Sequence, residues 1–141
     1  MIHFMLVSAK GVKFDGDAYE VIVPTPAGDI AIFEDHMPII SAARGGVVSV
    51  RKKSDDSDDD MEHFAVNGGI VQTKGKELRF LSDDVTTTDD INEKDAEAAL
   101  ARAEELVRTA GSQQALAEAH RVLHHSRAQL NVARVKRRRH P

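Results

Sequence analysis

Several residue types that build special sites are scarce or missing in this chain of 141 residues. There is no cysteine, which excludes disulfide bonds and thiolate metal sites. Tryptophan is absent and aromatic residues make up only 4% of the sequence, so a core must be built mainly from valine, isoleucine, leucine and alanine. No apolar run approaches the ~20 residues that a membrane-spanning helix needs. The start, MIHFMLVSAK, lacks the basic region of a secretory signal, so we expect the protein to stay where it is made.

The charges are divided unevenly along the chain. Residues 1–90 contain 9 Lys and Arg against 17 Asp and Glu, whereas residues 112–141 contain 7 against 1. An acidic front and a basic end predict two parts of the protein with different partners.

The pattern up to about Ser82 is typical of short strands separated by turn residues. Alternating stretches such as IHFMLV and ELRFLS are interrupted by proline and glycine, including Gly45-Gly46 and Gly68-Gly69. This spacing predicts a β-sandwich of roughly eight to ten short antiparallel strands, which we assign to a domain covering residues 1–88.

After residue 88 the apolar period changes from that of a strand to that of a helix. Asn92 is placed to cap a first helix, Gly111 to end it and Ser112 to begin a second helix over 112–135. Residues 89–141 are therefore predicted to form an antiparallel α-helical hairpin with a basic tail. Its large apolar residues are few, so we expect it to depend on the sandwich or on a partner.

Three segments invite a chemical interpretation, and each is weak. Glu34-Asp35-His36 lies in one loop, where sequence neighbours rarely converge on a substrate. The acidic run at 54–60 lacks the glycine and the final glutamate of a calcium loop. His120 and His124 have a spacing that can bind zinc, but no acidic third ligand shares their face. The sequence therefore predicts no catalytic residue, no metal ligand and no cofactor.

The order of motifs resembles the epsilon subunit of bacterial rotary (F-type) ATP synthases over nearly the whole chain. The segment GDIAIFEDHMPII (28–40) is similar to the family phrase GELGILPGHAPLL, and FAVNGGIVQT (64–73) matches a second family phrase. The resemblance implies a non-catalytic rotor subunit in the central stalk of a proton-translocating ATP synthase, which couples rotation and inhibits ATP hydrolysis through its C-terminal helices. Its implied partners are the gamma subunit, the c-ring and the alpha/beta catalytic head. Its implied place is the cytoplasmic side of the bacterial inner membrane, as a peripheral component.

The same resemblance implies roles for particular residues. A docking loop facing the c-ring and gamma would include Asp29, Glu34, Asp35 and His36. Contacts with the catalytic head would come from the cations of the second helix, namely Arg121, Arg127, Arg134, Arg137 and Arg138.

Some family members bind ATP through a phrase of the form I-D-x-x-R-A, which here reads INEKDA (91–96). Asn92 and Asp95 are weak candidates for such a site, with Arg102 one step further along the helix. A carboxylate at position 95, where the family has a cation, is expected to repel phosphate.

A nucleic-acid-binding protein is the alternative function, because the run Lys136 to Arg139 would attract phosphate. No aromatic residue follows Phe80 to stack on bases, and residues 1–90 are acidic, so this alternative is disfavoured.

Overall fold

The computed structural model describes the backbone of residues 1–139 and the side chains of residues 1–135. The elements of the first part are strands: β1 Ile2–Ser8, β2 Gly11–Ala18, β3 Glu20–Thr25, β4 Gly28–Ile32, β5 Ile39–Arg51, β6 Glu62–Lys74, β7 Glu77–Leu81 and β8 Val85–Thr87. One 3-10 turn lies at Asp58–Asp60, between β5 and β6, and another lies at Thr88–Asp90, after β8. Two helices complete the chain, α1 Glu93–Thr109 and α2 Gln113–Arg139.

The strands form one hydrogen-bonded sheet that folds into a sandwich. Their order is β2-β1-β7-β6-β5-β3-β4, with β8 added to β6. A single apolar core draws buried side chains from both ends of that order, including Phe4 and Phe80 from one end and Val21 and Ile32 from the other. The predicted fold class, a β-sandwich followed by a helical hairpin, is confirmed.

The described part of the chain contains eight strands, the lower end of the predicted range, because both glycine pairs lie inside continuous strands. On the core face of β6 the buried side chains are Val71 and Thr73 after Gly68-Gly69, but Phe64 and Val66 before them, while Ala65 is buried on the opposite face against α2. The alternation thus changes phase at the glycines, which makes one long strand look like two in sequence. One strand pair, β1 with β7, is parallel, whereas the sequence predicted antiparallel strands throughout.

Both helices begin where their capping residues predict. The Asn92 side chain accepts hydrogen bonds from the backbone N–H groups of Lys94 and Asp95, and the Ser112 hydroxyl accepts one from Ala115 at 3.0 Å. The first helix ends at Thr109, and the second continues past the predicted end at 135 to Arg139. Residues at alternating spacings of three and four along α2 form a buried seam, namely Ala119, Leu123, Ser126, Leu130 and Ala133.

A second face of α2 packs on the sandwich. Ala128 and Val132 form a small apolar cluster with Ala65 of β6, with Val47 of β5 packed against it. The hairpin therefore leans on the sandwich, as its low content of large apolar residues led us to expect.

Among the glycines of the sandwich, Gly69 leaves the least room for a side chain. Its φ is +142°, and a Cβ atom there would clash with the backbone carbonyl of Leu81 in the neighbouring strand. Gly69→Ala should lower the free energy of unfolding by roughly 2–4 kcal/mol, because both the dihedral and the clash oppose it. Gly111→Ala is the matched control, since nothing lies within 4 Å of its Cβ position. Equal midpoints for the two variants in urea denaturation would contradict this account.

Candidate functional site

The loop that joins β4 to β5 does not gather its polar side chains at one point. Glu34 bonds to the N-terminal amine of Met1 at 2.5 Å and to Lys76 at 3.0 Å. His36 instead keeps its Nδ1 atom 2.8 Å from the carbonyl oxygen of Met37, and its backbone N–H donates to Phe33. The geometry thus offers no acid–base pair for catalysis.

Asp29 and Asp35 occupy different parts of this region. Asp29 lies at the start of β4 and pairs with Arg44 at 3.3 Å, so the length of the strand separates it from Glu34. Asp35 adopts φ 62° at the tip of the loop, the left-handed conformation that Asp tolerates better than most residues. Of the four residues predicted to dock on partners, Glu34, Asp35 and His36 thus lie together and Asp29 lies apart.

Apolar side chains surround the loop. Met37 is 70% exposed and Ile40, just beyond it, is 75% exposed. Phe33 and Tyr19 make an edge-to-face contact, with ring centroids 5.6 Å apart. This end of the sandwich therefore combines exposed apolar groups with fixed charges.

A second apolar surface, which sequence reasoning missed, crosses the outer face of the sandwich. Directly paired residues of five neighbouring strands form one row: Val12, Val7, Leu81, Ile70 and Ala42. Paired residues in a sheet project from the same face. In the sequence, Ile70 and Leu81 are apolar residues next to the core residues Val71 and Phe80, although strand alternation would favour polar residues there. The row itself becomes visible only when the strand order is known. We call these five residues the outer row.

The weak ATP-site candidates do come together. Asn92, Asp95 and Arg102 line one cavity of about 630 Å³ at the start of α1, which Lys10, Lys13, Asp84 and Asp90 also line. Three cations are thus matched by three carboxylates, so the cavity gives a polyphosphate little net attraction. The Asn92 side chain is also engaged as the cap of α1.

The contact between α2 and the sandwich includes a polar cluster. His125 Nε2 lies 3.3 Å from Asp84 Oδ2, and Gln129 donates to the Thr86 hydroxyl at 3.1 Å. On the sheet side Gly45 lies against His125, since a Cβ there would be 3.6 Å from its backbone nitrogen. The helix therefore lies close to the sheet at this point.

The cations assigned to the catalytic head point away from that contact or lie beyond the described side chains. Arg127 and Arg134 are exposed, and Arg121 is exposed beside Glu118 at 3.2 Å. Arg137 and Arg138 fall outside the residues whose side chains the structure describes.

Neither metal interpretation gains a ligand set. Among residues 1–135 no three His, Asp or Glu side chains are placed to hold a metal ion. The acidic run is shaped by Arg51, whose guanidinium bonds to the backbone of Asp56 and to the Asp58 carboxylate at 2.6 Å. No helix in the described part of the chain is long and apolar enough to cross a membrane.

Comparison with known proteins identifies the family. Residues 1–88 match the family described as "ATP synthase, Delta/Epsilon chain, beta-sandwich domain", and residues 89–134 match "ATP synthase, Delta/Epsilon chain, long alpha-helix domain". The chain belongs to the ATP synthase delta/epsilon family. The predicted function class, a rotor subunit of ATP synthase without an active site of its own, is thereby confirmed, and no comparison supports the nucleic-acid-binding alternative.

Individual relatives agree with the family assignment. The ATP synthase epsilon chain of Bordetella avium is 33% identical over 116 residues, which cover 82% of this chain and 79% of that one. The epsilon chain of Neisseria meningitidis serogroup B is 31% identical over 127 residues, covering 90% and 89%. The fold is similar to a chain in the mitochondrial ATP synthase of Euglena gracilis, with a TM-score of 0.75 and 11% identity over 90% of this chain and 78% of that chain.

The ion pairs of Glu34 with the N-terminal amine and Lys76 lead to a prediction about the pKa of Glu34. Hydrogen bonds from the N-terminal amine and from Lys76 lower the pKa of Glu34 to about 2 from its usual 4.5. Because the folded-state pKa is depressed, the stabilising contribution of Glu34 is present above pH 4.5 and is lost as the pH falls toward 2. Lys76→Gln should raise the pKa of Glu34, measured by NMR titration. Glu77→Gln, at an exposed neighbouring residue, is the control, and an unchanged pKa in Lys76→Gln would show that this loop is held differently.

Proposed function

We propose that this subunit transmits torque between the catalytic head and the c-ring by gripping gamma with the outer row and resting on the ring with the β4–β5 loop. The exposed outer row is the observation that carries the proposal. The helical hairpin then acts on the catalytic head to restrain ATP hydrolysis. The subunit works at the cytoplasmic side of the membrane, as a peripheral component of the complex.

The outer row has the character of an interface core. Val12, Ile70 and Leu81 are 57%, 53% and 51% exposed, and they lie in one line across the sheet. Contiguous exposed apolar surface on a small domain commonly marks a contact with another protein. A sheet is also a suitable element for transmitting torque, because side chains on hydrogen-bonded strands are held more rigidly than side chains on a loop.

The β4–β5 loop suits a partner with polar loops, such as the ring surface. Glu34 is held by Met1 and Lys76, so its charge is fixed in position before any partner arrives. Exposed Met37 beside it adds apolar area. Fixed charges beside apolar surface give orientation and affinity together.

The helical hairpin suits an acidic partner. Arg127 and Arg134 remain exposed while α2 lies on the sandwich, so these cations face outward. In the family the catalytic beta subunits offer an acidic segment near the rotor, which supports the catalytic head as the partner.

The grip on gamma is tested by placing charge in the outer row. Ile70→Lys combined with Leu81→Lys should weaken binding to purified gamma by roughly 10- to 100-fold, because each central interface residue commonly contributes more than ~1 kcal/mol. Leu106→Lys is the control, since Leu106 is similarly exposed, at 50%, but lies on α1. The measurement is isothermal titration calorimetry, with circular dichroism to verify folding. Unchanged affinity in the double variant would place gamma elsewhere.

The inhibitory role is tested on reconstituted catalytic head. Arg127→Glu with Arg134→Glu should raise the rate of ATP hydrolysis, by roughly 2- to 30-fold if each of the two exposed pairs contributes ~0.2–1 kcal/mol. The difference from wild type should shrink as salt is added, because exposed charges are screened over ~8–10 Å. Lys94→Glu with Arg108→Glu makes the same change of charge on α1 and should leave the rate unchanged. Equal rates for wild type and the α2 variant at low salt would leave the hairpin without an inhibitory contact through these cations.

A further inference from the structure

A single arginine of β7, Arg79, lies beside the apolar outer row. Leu81, the middle member of the row, is two residues further along the same strand, so the two side chains project from the same face of the sheet. The residues paired with Arg79 in register are Met5 on β1 and Gln72 on β6. Each of these is also two residues from a member of the row, so Arg79 borders the row near its middle.

The guanidinium of Arg79 has no partner in the described part of the chain. The side chain is exposed, and no residue among 1–135 forms a hydrogen bond or an ion pair with its guanidinium. The other cationic group on this end of the face is engaged, because His3 keeps one ring nitrogen 2.7 Å from Asp15 and the other 3.1 Å from Asp17. Arg79 is therefore available to bind a group from outside the chain.

A small cleft adjoins this arginine. Its volume is about 130 Å³, and Gln72, Lys74, Glu77 and Arg79 line it. Two cations and one carboxylate leave the cleft with one positive charge in excess. The amide of Gln72 adds further hydrogen-bonding capacity. This combination favours an anionic group that accepts hydrogen bonds.

A partner that covers the outer row also encloses Arg79. A guanidinium that is removed from water without a charged partner and hydrogen bonds is costly to bury. The planar fork of N–H groups matches the two oxygens of a carboxylate, which satisfies the charge and the hydrogen bonds together. A backbone carbonyl would satisfy only the hydrogen bonds. Arginine is also enriched among the residues that contribute most to binding at protein interfaces.

We propose that Arg79 anchors gamma on the outer row by binding a carboxylate that gamma presents between apolar side chains. The inference rests on the proposed function, since it takes gamma as the partner that covers the row, and it specifies the chemistry of the surface that gamma offers. The apolar row supplies contact area, and the ion pair fixes the orientation of that contact. A partner with a basic or wholly apolar surface would be rejected, because it would leave Arg79 repelled or unpaired.

The anchor is tested by isothermal titration calorimetry of full-length variants with purified gamma. Arg79→Gln should weaken binding by roughly 10- to 100-fold, as expected for a charged hydrogen-bonded pair. Arg79→Lys should weaken it less, since the charge remains while the planar fork is lost. Arg79→Glu should weaken it more than Arg79→Gln, because two carboxylates would then meet. Arg108→Gln removes an exposed arginine from α1 and is the control.

Cross-linking detects the carboxylate of gamma directly. A carbodiimide joins a lysine amine to an adjacent carboxylate as an amide, with loss of water, whereas arginine does not react. The Arg79→Lys variant should therefore form a cross-link from position 79 to an Asp or Glu of gamma, identified by mass spectrometry of the digested complex. Circular dichroism verifies that each variant is folded.

The outcomes separate the anchor from the grip of the outer row. Equal affinity for Arg79→Gln and wild type would overturn the anchor, whatever the double variant Ile70→Lys with Leu81→Lys does. Equal losses in Arg79→Gln and Arg79→Glu, with no cross-link from position 79 to gamma, would overturn it as well. Weaker binding by the Arg79 variants together with full affinity in the double variant would keep the ion pair and remove the outer row from the contact.

Discussion

The position of α2 on the sandwich depends on a contact built from small residues. Ala65, Ala128 and Val132 are nearly inaccessible to solvent, and Gly45 lets the helix approach the sheet closely. Burial of so few carbon atoms stabilises the contact only modestly, at ~25 cal/mol for each Å² of apolar surface. The hairpin has little core of its own, so this modest contact decides whether the helices lie on the sandwich or leave it. A domain held in this way is suited to changing its position, because undocking exposes little apolar surface.

The polar groups at the contact fix the position of α2 along the sandwich. His125 and Gln129 meet Asp84 and Thr86 on the sandwich, and hydrogen-bonded partners at a buried contact are costly to separate without water. The Nδ1 atom of His125 is buried without a hydrogen-bond partner among the described residues, which offsets part of that gain. The contact is therefore specific in its geometry while it remains weak in its total energy.

Sequence reasoning predicted the sandwich, the hairpin and both helix starts because these depend on local patterns. Capping by Asn92 and Ser112 needs only neighbours in the chain, and the buried seam of α2 follows from helical spacing. The exact number of strands could not be predicted because Gly68-Gly69 changes which side chains face the core without ending the strand. The outer row and the shaping of the acidic loop by Arg51 depend on strand order and on contacts between distant residues, which no single stretch of sequence contains.

The parallel pairing of β1 with β7 affects the order in which the protein folds during its synthesis. His3 pairs with Glu77 and Val7 with Leu81, so one edge of β1 stays unpaired until β7 is made, whereas the other edge pairs with β2 directly. Pairing between residues so far apart in sequence is slow, since a long loop must close first. On the ribosome the sandwich is thus incomplete until β7 has emerged. The helices are made after that, and α2 emerges when the surface on which it lies is already available.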